Sequence, residues 1–148
     1  MIGKRVGNPE FQLTALVWIR GILSDEYGVS PSAVEYWTGG EEQPGHEEKI
    51  ALDLPPEFRV RRIGANQTLS RMLAEGELDA LYSPRVPSTF VSRPKDVRRL
   101  FENYAEIERA YYSKTRIFPI MHTVVIRRDI YQAHPWVAQS LFKAFVES

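Results

Sequence analysis

Arg85 stands in Ser83-Pro84-Arg85-Val86-Pro87, and its planar guanidinium fork suits a carboxylate gripped by two parallel hydrogen bonds. Two flanking prolines keep this stretch out of a sheet ladder and make it a loop. Residues 8–14, with Gln12 and Thr14, follow one predicted strand and open a helix, where free N–H groups and the helix dipole favour an anion. Trp37-Thr38-Gly39-Gly40 sits at the end of another predicted strand, and Trp37 there can flank a planar ligand. Each feature also has a plainer role: Gln12 or Thr14 as a helix cap, Arg85 as a solvated loop residue. His122 lies in Phe118-Pro119-Ile120-Met121-His122-Thr123 and is the natural acid–base group near neutral pH, although a histidine in an apolar run is ordinarily a hydrogen-bonded core residue. His46 lies in an acidic loop, and His134, beside Pro135, is placed to cap the last helix. The three histidines lack metal-ligand spacing and there is no cysteine, so no metal site is expected. No phosphate-cradling glycine motif or nucleophile elbow occurs, and the sequence names no cofactor. Glu41, Glu42, Glu47 and Glu48 read most simply as a solvated face.

These groups need a scaffold, and the apolar pattern supplies one. Residues 4–7 form a short strand, 13–23 a buried helix with Gly28 as its C-cap, and 33–37 a second strand, which together make a βαβ unit with parallel strands. A polar loop over 39–56 follows, with a helical turn at 48–52. A second unit comprises strand 58–63, helix 68–75 between Thr68 and Gly76, and strand 78–82. Helices are expected over 96–101 and 105–114, then an extended crossing segment over 117–127. A last helix opens at Pro135 and turns Val137, Leu141, Ala144 and Phe145 inward. The fold class is α/β, a mostly parallel sheet with flanking helices. It divides into an α/β lobe over 1–116 and a crossing strand and helix over 117–148. Parallel neighbours end on the same side, so residues 8–14 and 83–85 should converge.

The 148 residues carry 19 basic and 19 acidic side chains, which removes the electrostatic footprint of a nucleic-acid binder. No apolar run reaches the roughly 18 residues of a membrane span, and no disulfide is possible. The N-terminus lacks the apolar region of a signal peptide, so a cytoplasmic location is expected. Both ends are abrupt: a strand starts at once, and residues 142–148 stop inside a helical pattern. That suggests a piece of something longer.

Several segments resemble the 4,5-dihydroxyphthalate decarboxylase family. They are Gly3-Lys4-Arg5-Val6-Gly7, Pro9-Glu10, Thr14-Ala15 and Trp18-Ile19-Arg20-Gly21-Ile22-Leu23. Further along come Trp37-Thr38-Gly39-Gly40, Thr68-Leu69-Ser70, Gly76-Glu77-Leu78-Asp79-Ala80 and Ser83-Pro84-Arg85-Val86-Pro87-Ser88. The strongest match is Phe118-Pro119-Ile120-Met121-His122-Thr123-Val124-Val125-Ile126-Arg127, followed by His134-Pro135-Trp136-Val137-Ala138. The resemblance implies a type II periplasmic-binding-protein-like fold, with a ligand between two α/β lobes. This chain covers the second lobe and the crossing segment and lacks most of the first.

It also implies a fragment of a decarboxylase of aromatic catabolism, acting on a hydroxylated aromatic dicarboxylate such as 4,5-dihydroxyphthalate to leave a dihydroxybenzoate. Ring decarboxylation needs a proton delivered to the carbon that loses carbon dioxide. His122 is the candidate for that exchange, and Arg85 for the clamp on a carboxylate, helped by Ser83 and by N–H groups near Gln12 and Thr14. Trp37 would lie against the ring. The partner is then a small aromatic carboxylate, with neither nucleic acid nor membrane. The apolar stretch 118–125 should be exposed, or covered by a second copy in a homo-oligomer. The rival reading is a ligand-binding lobe of a solute-receptor kind, capturing an aromatic or dicarboxylic anion without catalysis.

Overall fold

The computed structural model describes residues 1–120 and 122–148. Four strands, β1 (Arg5–Asn8), β2 (Glu35–Thr38), β3 (Arg59–Arg62) and β4 (Ala80–Leu81), form one parallel sheet in the order β3-β2-β1-β4. The expected α/β class with a parallel sheet is what the chain adopts. Register aligns Val6 with Tyr36 and Ala80, and Tyr36 with Val60. Alternation along each strand therefore sends Val6 and Tyr36 to one face and Gly7 and Trp37 to the other.

Helix α1 (Thr14–Tyr27) covers the first face, where Leu16 and Leu23 pack with Val6, Val34, Tyr36, Phe11 and Tyr82. It ends at Gly28, left-handed at φ 65, as the sequence requires. Helix α2 (Leu69–Ala74) covers the opposite face, where Leu69, Met72, Leu78 and Ile63 meet Trp37 and Leu81. Gly7 permits this approach. A Cβ there would lie 3.0 Å from Leu78 Cδ1 and Leu81 Cδ1 and 3.2 Å from Leu69 Cδ2. The second strand–helix–strand unit does not join neighbours: the chain leaves β3 at one edge, passes over β2 and β1 through α2, and enters β4 at the other.

Beyond β4 the elements are α3 (Ser88–Ser92), α4 (Tyr104–Thr115), α5 (Arg128–Ala133) and α6 (Trp136–Glu147). Four expectations fail here or in the loop before. No helix forms over 96–101; Pro94 sits in a turn closed by Asp96 N–H and Val97 N–H on the Arg93 carbonyl, and Val97 is buried. The helical turn at 48–52 is absent because Glu48 and Lys49 reach instead for the β1–α1 loop. His134 closes α5 rather than capping α6 by its side chain, while its carbonyl accepts the Val137 N–H. The inward face expected for α6 is not buried: Val137 is half-buried, none of the helix's described residues is fully buried, and Phe145 is 59% exposed.

The segment 117–127 joins no strand ladder among the described residues, and Met121 within it lies outside them. Phe118, Ile120, Val124 and Val125 are all exposed in the single chain. Among the described residues no helix is long and apolar enough to cross a membrane.

Candidate functional site

All four strands run the same way, so their carboxyl ends share one edge of the sheet. The connection order reverses between β1 and β4, with β2 and β3 to one side. Such a switch point is where an open parallel sheet forms a crevice. Residues 8–14 leave β1 there and residues 83–85 leave β4, and the Tyr82 N–H bonds to the Gly7 carbonyl. The two expected segments thus emerge side by side at one edge. Asn8, fully buried at the end of β1, spends its amide on the Val6 carbonyl at 3.4 Å, and its Oδ1 has no partner among the described residues.

The loop after β2 folds across this edge. Gly40 makes that possible, because a Cβ on it would stand 1.6 Å from the Gln43 carbonyl oxygen. The carbonyls of Gly40 and Glu41 accept the N–H groups of Leu69 and Ser70 at 2.9 and 3.0 Å. Helix α2 is capped at its start by this loop, and the Thr68 side chain makes no cap bond. The Glu41 carboxylate then accepts the Ser83 hydroxyl at 2.7 Å, and Ser83 Oγ in turn accepts the Arg85 N–H at 2.9 Å. Burial pushes the Glu41 carboxyl above its ordinary value, and the charge of Glu42 adds to this, while the Ser83 bond and Arg85 act the other way.

Glu42 has a different fate. Burial works to raise its carboxyl, but the Ser88 hydroxyl and N–H at 2.6 and 2.7 Å, at the start of α3, prevail and hold it low. Glu48 accepts the Phe11 N–H at 2.6 Å, Glu47 pairs with Arg62, and His46 and Lys49 both reach Glu10 Oε1. Glu42 and Glu47 are exposed, as a solvated face would be, but the acidic stretch is more than that. It is a set of ties that pin one loop over the strand ends. Burial works against the Glu10 charge, and the bonds from Lys49 and His46 outweigh it, so that carboxyl also sits low.

Behind this loop Arg20 is buried, with Nη2 on the Phe11 carbonyl at 2.6 Å and its guanidinium 4.0 Å from the centre of the Phe11 ring. Its Nη1 has no partner among the described residues, and burial lowers its pKa. Burial also pushes the Tyr36 hydroxyl up to about 12.

Of the residues singled out in the sequence, Ser83 and Arg85 lie together at the crevice. Arg85 is exposed beside an open cavity of about 650 Å³ lined also by Pro87, Phe90, Val97 and Leu100. Gln12 and Thr14 are exposed at the start of α1, where the Phe11 N–H just before them is already taken by Glu48. Trp37 is half-buried against the α2 cluster, and its indole N–H has no partner among the described residues. His122 is exposed, and no hydrogen bond among the described residues joins it to the strand-end group. Sequence reasoning missed Glu41. The available signal was a glycine pair at a strand end followed at once by carboxylates, which throws those carboxylates back over the sheet edge.

No family model matches the chain. Among characterised proteins it is 42% identical over 146 residues to the 4,5-dihydroxyphthalate decarboxylase of Comamonas testosteroni, covering 99% of this chain and 44% of that protein. The chain is thus similar to the 4,5-dihydroxyphthalate decarboxylases along nearly its whole length. The enzyme of that name from Pseudomonas putida is 46% identical over 101 residues, which is 68% of this chain and 39% of that protein. The chain thus spans about two fifths of the length of the 4,5-dihydroxyphthalate decarboxylases it matches.

Proposed function

We propose that the chain is part of a decarboxylase acting on a hydroxylated aromatic dicarboxylate such as 4,5-dihydroxyphthalate. The observation that carries this is the identity to two enzymes of that name, one along nearly the whole chain. The site chemistry agrees with it. Arg85 holds a substrate carboxylate in the crevice beside Ser83, helped by N–H groups near Gln12 and Thr14, and the half-buried Trp37 offers an aromatic surface to the ring. The sequence points to His122 as the acid–base group, but in the chain alone it faces solvent.

Calorimetric titration of the chain with 4,5-dihydroxyphthalate, alongside measurement of released carbon dioxide, tests the reading. Saturable binding weakened about tenfold or more by Arg85→Gln is expected, since a hydrogen bond to a charged group contributes about 1.5–3 kcal/mol. Absence of saturable binding overturns the reading.

A further inference from the structure

The strand ends hold a titratable group that the sequence did not single out. We propose that Glu41 delivers the proton to the ring carbon in the decarboxylation proposed above, from a site it shares with Ser83 and Arg85; this rests on that reading of function. Three observations converge on it. Glu41 follows the glycine pair at the end of β2 and is held over the crevice by the bond from its carbonyl to the Ser70 N–H. Its carboxylate meets Ser83 at 2.7 Å, and the same hydroxyl accepts the Arg85 N–H, so one side chain ties the carboxyl to the residue that grips a substrate carboxylate.

Its neighbour Glu42 is consumed by two bonds to Ser88, and the two adjacent carboxyls are pushed apart: Glu42 stays charged and Glu41 is the one that protonates more readily. Paired carboxyls in contrasting surroundings are the ordinary way a fold divides acid and spectator roles. The charged groups acting on Glu41 are Glu42 and Arg85.

The step balances. The bond from ring carbon to carboxylate breaks, its electron pair stays on that carbon, and the carbon takes the Glu41 proton as carbon dioxide departs. Glu41, left as a carboxylate, regains a proton from water. A carboxylate bound at Arg85 also places negative charge beside Glu41, so ligand binding shifts Glu41 further toward its protonated form.

Calorimetry of the whole 148-residue chain with 4,5-dihydroxyphthalate at about pH 6, in two buffers of different ionisation enthalpy, reads that proton directly. Net uptake of a proton by the wild-type chain is expected. Glu41→Gln should abolish the uptake and bind at least as tightly, since it removes a like charge. Binding without uptake, or uptake that survives Glu41→Gln, overturns the role of Glu41 and leaves the functional reading standing. Uptake that vanishes in His122→Ala instead does the same. No saturable binding overturns both.

Discussion

Replacing Gly40 by alanine should break the loop that builds the crevice, and the geometry sets the scale. The added Cβ would stand 1.6 Å from the Gln43 carbonyl oxygen and 2.8 Å from its carbonyl carbon. Ordinary contact begins near 3.4 Å. No rotamer change relieves this, because the obstacle is backbone, so the 40–43 turn must open. Opening it strands the Leu69 and Ser70 N–H groups, which bond to the Gly40 and Glu41 carbonyls. Overpacking costs about 1–3 kcal/mol and each stranded donor about 1–3 more, partly recovered by water, so a loss of about 3 kcal/mol is expected.

The same substitution at Gly21 is the control. That residue lies inside α1 and its Cβ would meet nothing within 4 Å. Gly21→Ala should therefore stabilise the chain by about 0.5–1 kcal/mol through helix propensity and a less free unfolded chain. Urea unfolding gives both numbers, and hydrogen exchange gives the location: Leu69 and Ser70 amides should lose protection in Gly40→Ala only. An unchanged midpoint for Gly40→Ala, with Ser70 still protected, would refute the view that this loop caps α2.

Three further outcomes follow from the same geometry. Leu69→Ala, which empties a fully buried site under the sheet, should cost about 2–5 kcal/mol in urea unfolding. Bonds from the Arg5 side chain and N–H hold the Asp79 carboxyl at about 2, against an ordinary 3.8. The resulting stabilisation is present above about pH 4 and is lost as pH falls through about 2; with solvent screening it amounts to about 1 kcal/mol, and Asp79→Asn should flatten the stability profile in that window. The chain by itself should release little carbon dioxide from 4,5-dihydroxyphthalate, because Arg85 and His122 both face solvent, where their hold on an anion is screened. Brisk turnover would show that the strand ends of this chain suffice for the reaction.

The parallel sheet was legible because its signals are local. A β-branched and aromatic run, a helix with Gly28 at its end and a second run compose a βαβ unit without reference to the rest of the chain. The order of the strands was not legible, since β3 and β4 lie at opposite edges and that crossing depends on long-range packing, such as that of Leu69 and Leu78 against Gly7. Likewise Ser83 and Arg85 could be placed by the rule of parallel strand ends, whereas the partner of Ser83 could not. Glu41 is 42 residues away from it, and nothing in a window of sequence reports a contact at that separation.

The acidic loop shows why composition misled. Four glutamates in a polar stretch look solvated when each is weighed alone. Yet the strand ends and helix starts beneath them offer N–H and hydroxyl donors that require acceptors. A carboxylate near such donors is tied to them rather than left to water alone: Glu48 holds the Phe11 N–H in a part-buried bond, and Glu42, though exposed, holds Ser88. That same demand leaves Glu41 as the exception. Its helix-capping work is done by its backbone carbonyl, and among the described residues its carboxyl is held by Ser83 alone, which is what the proton-donor proposal requires.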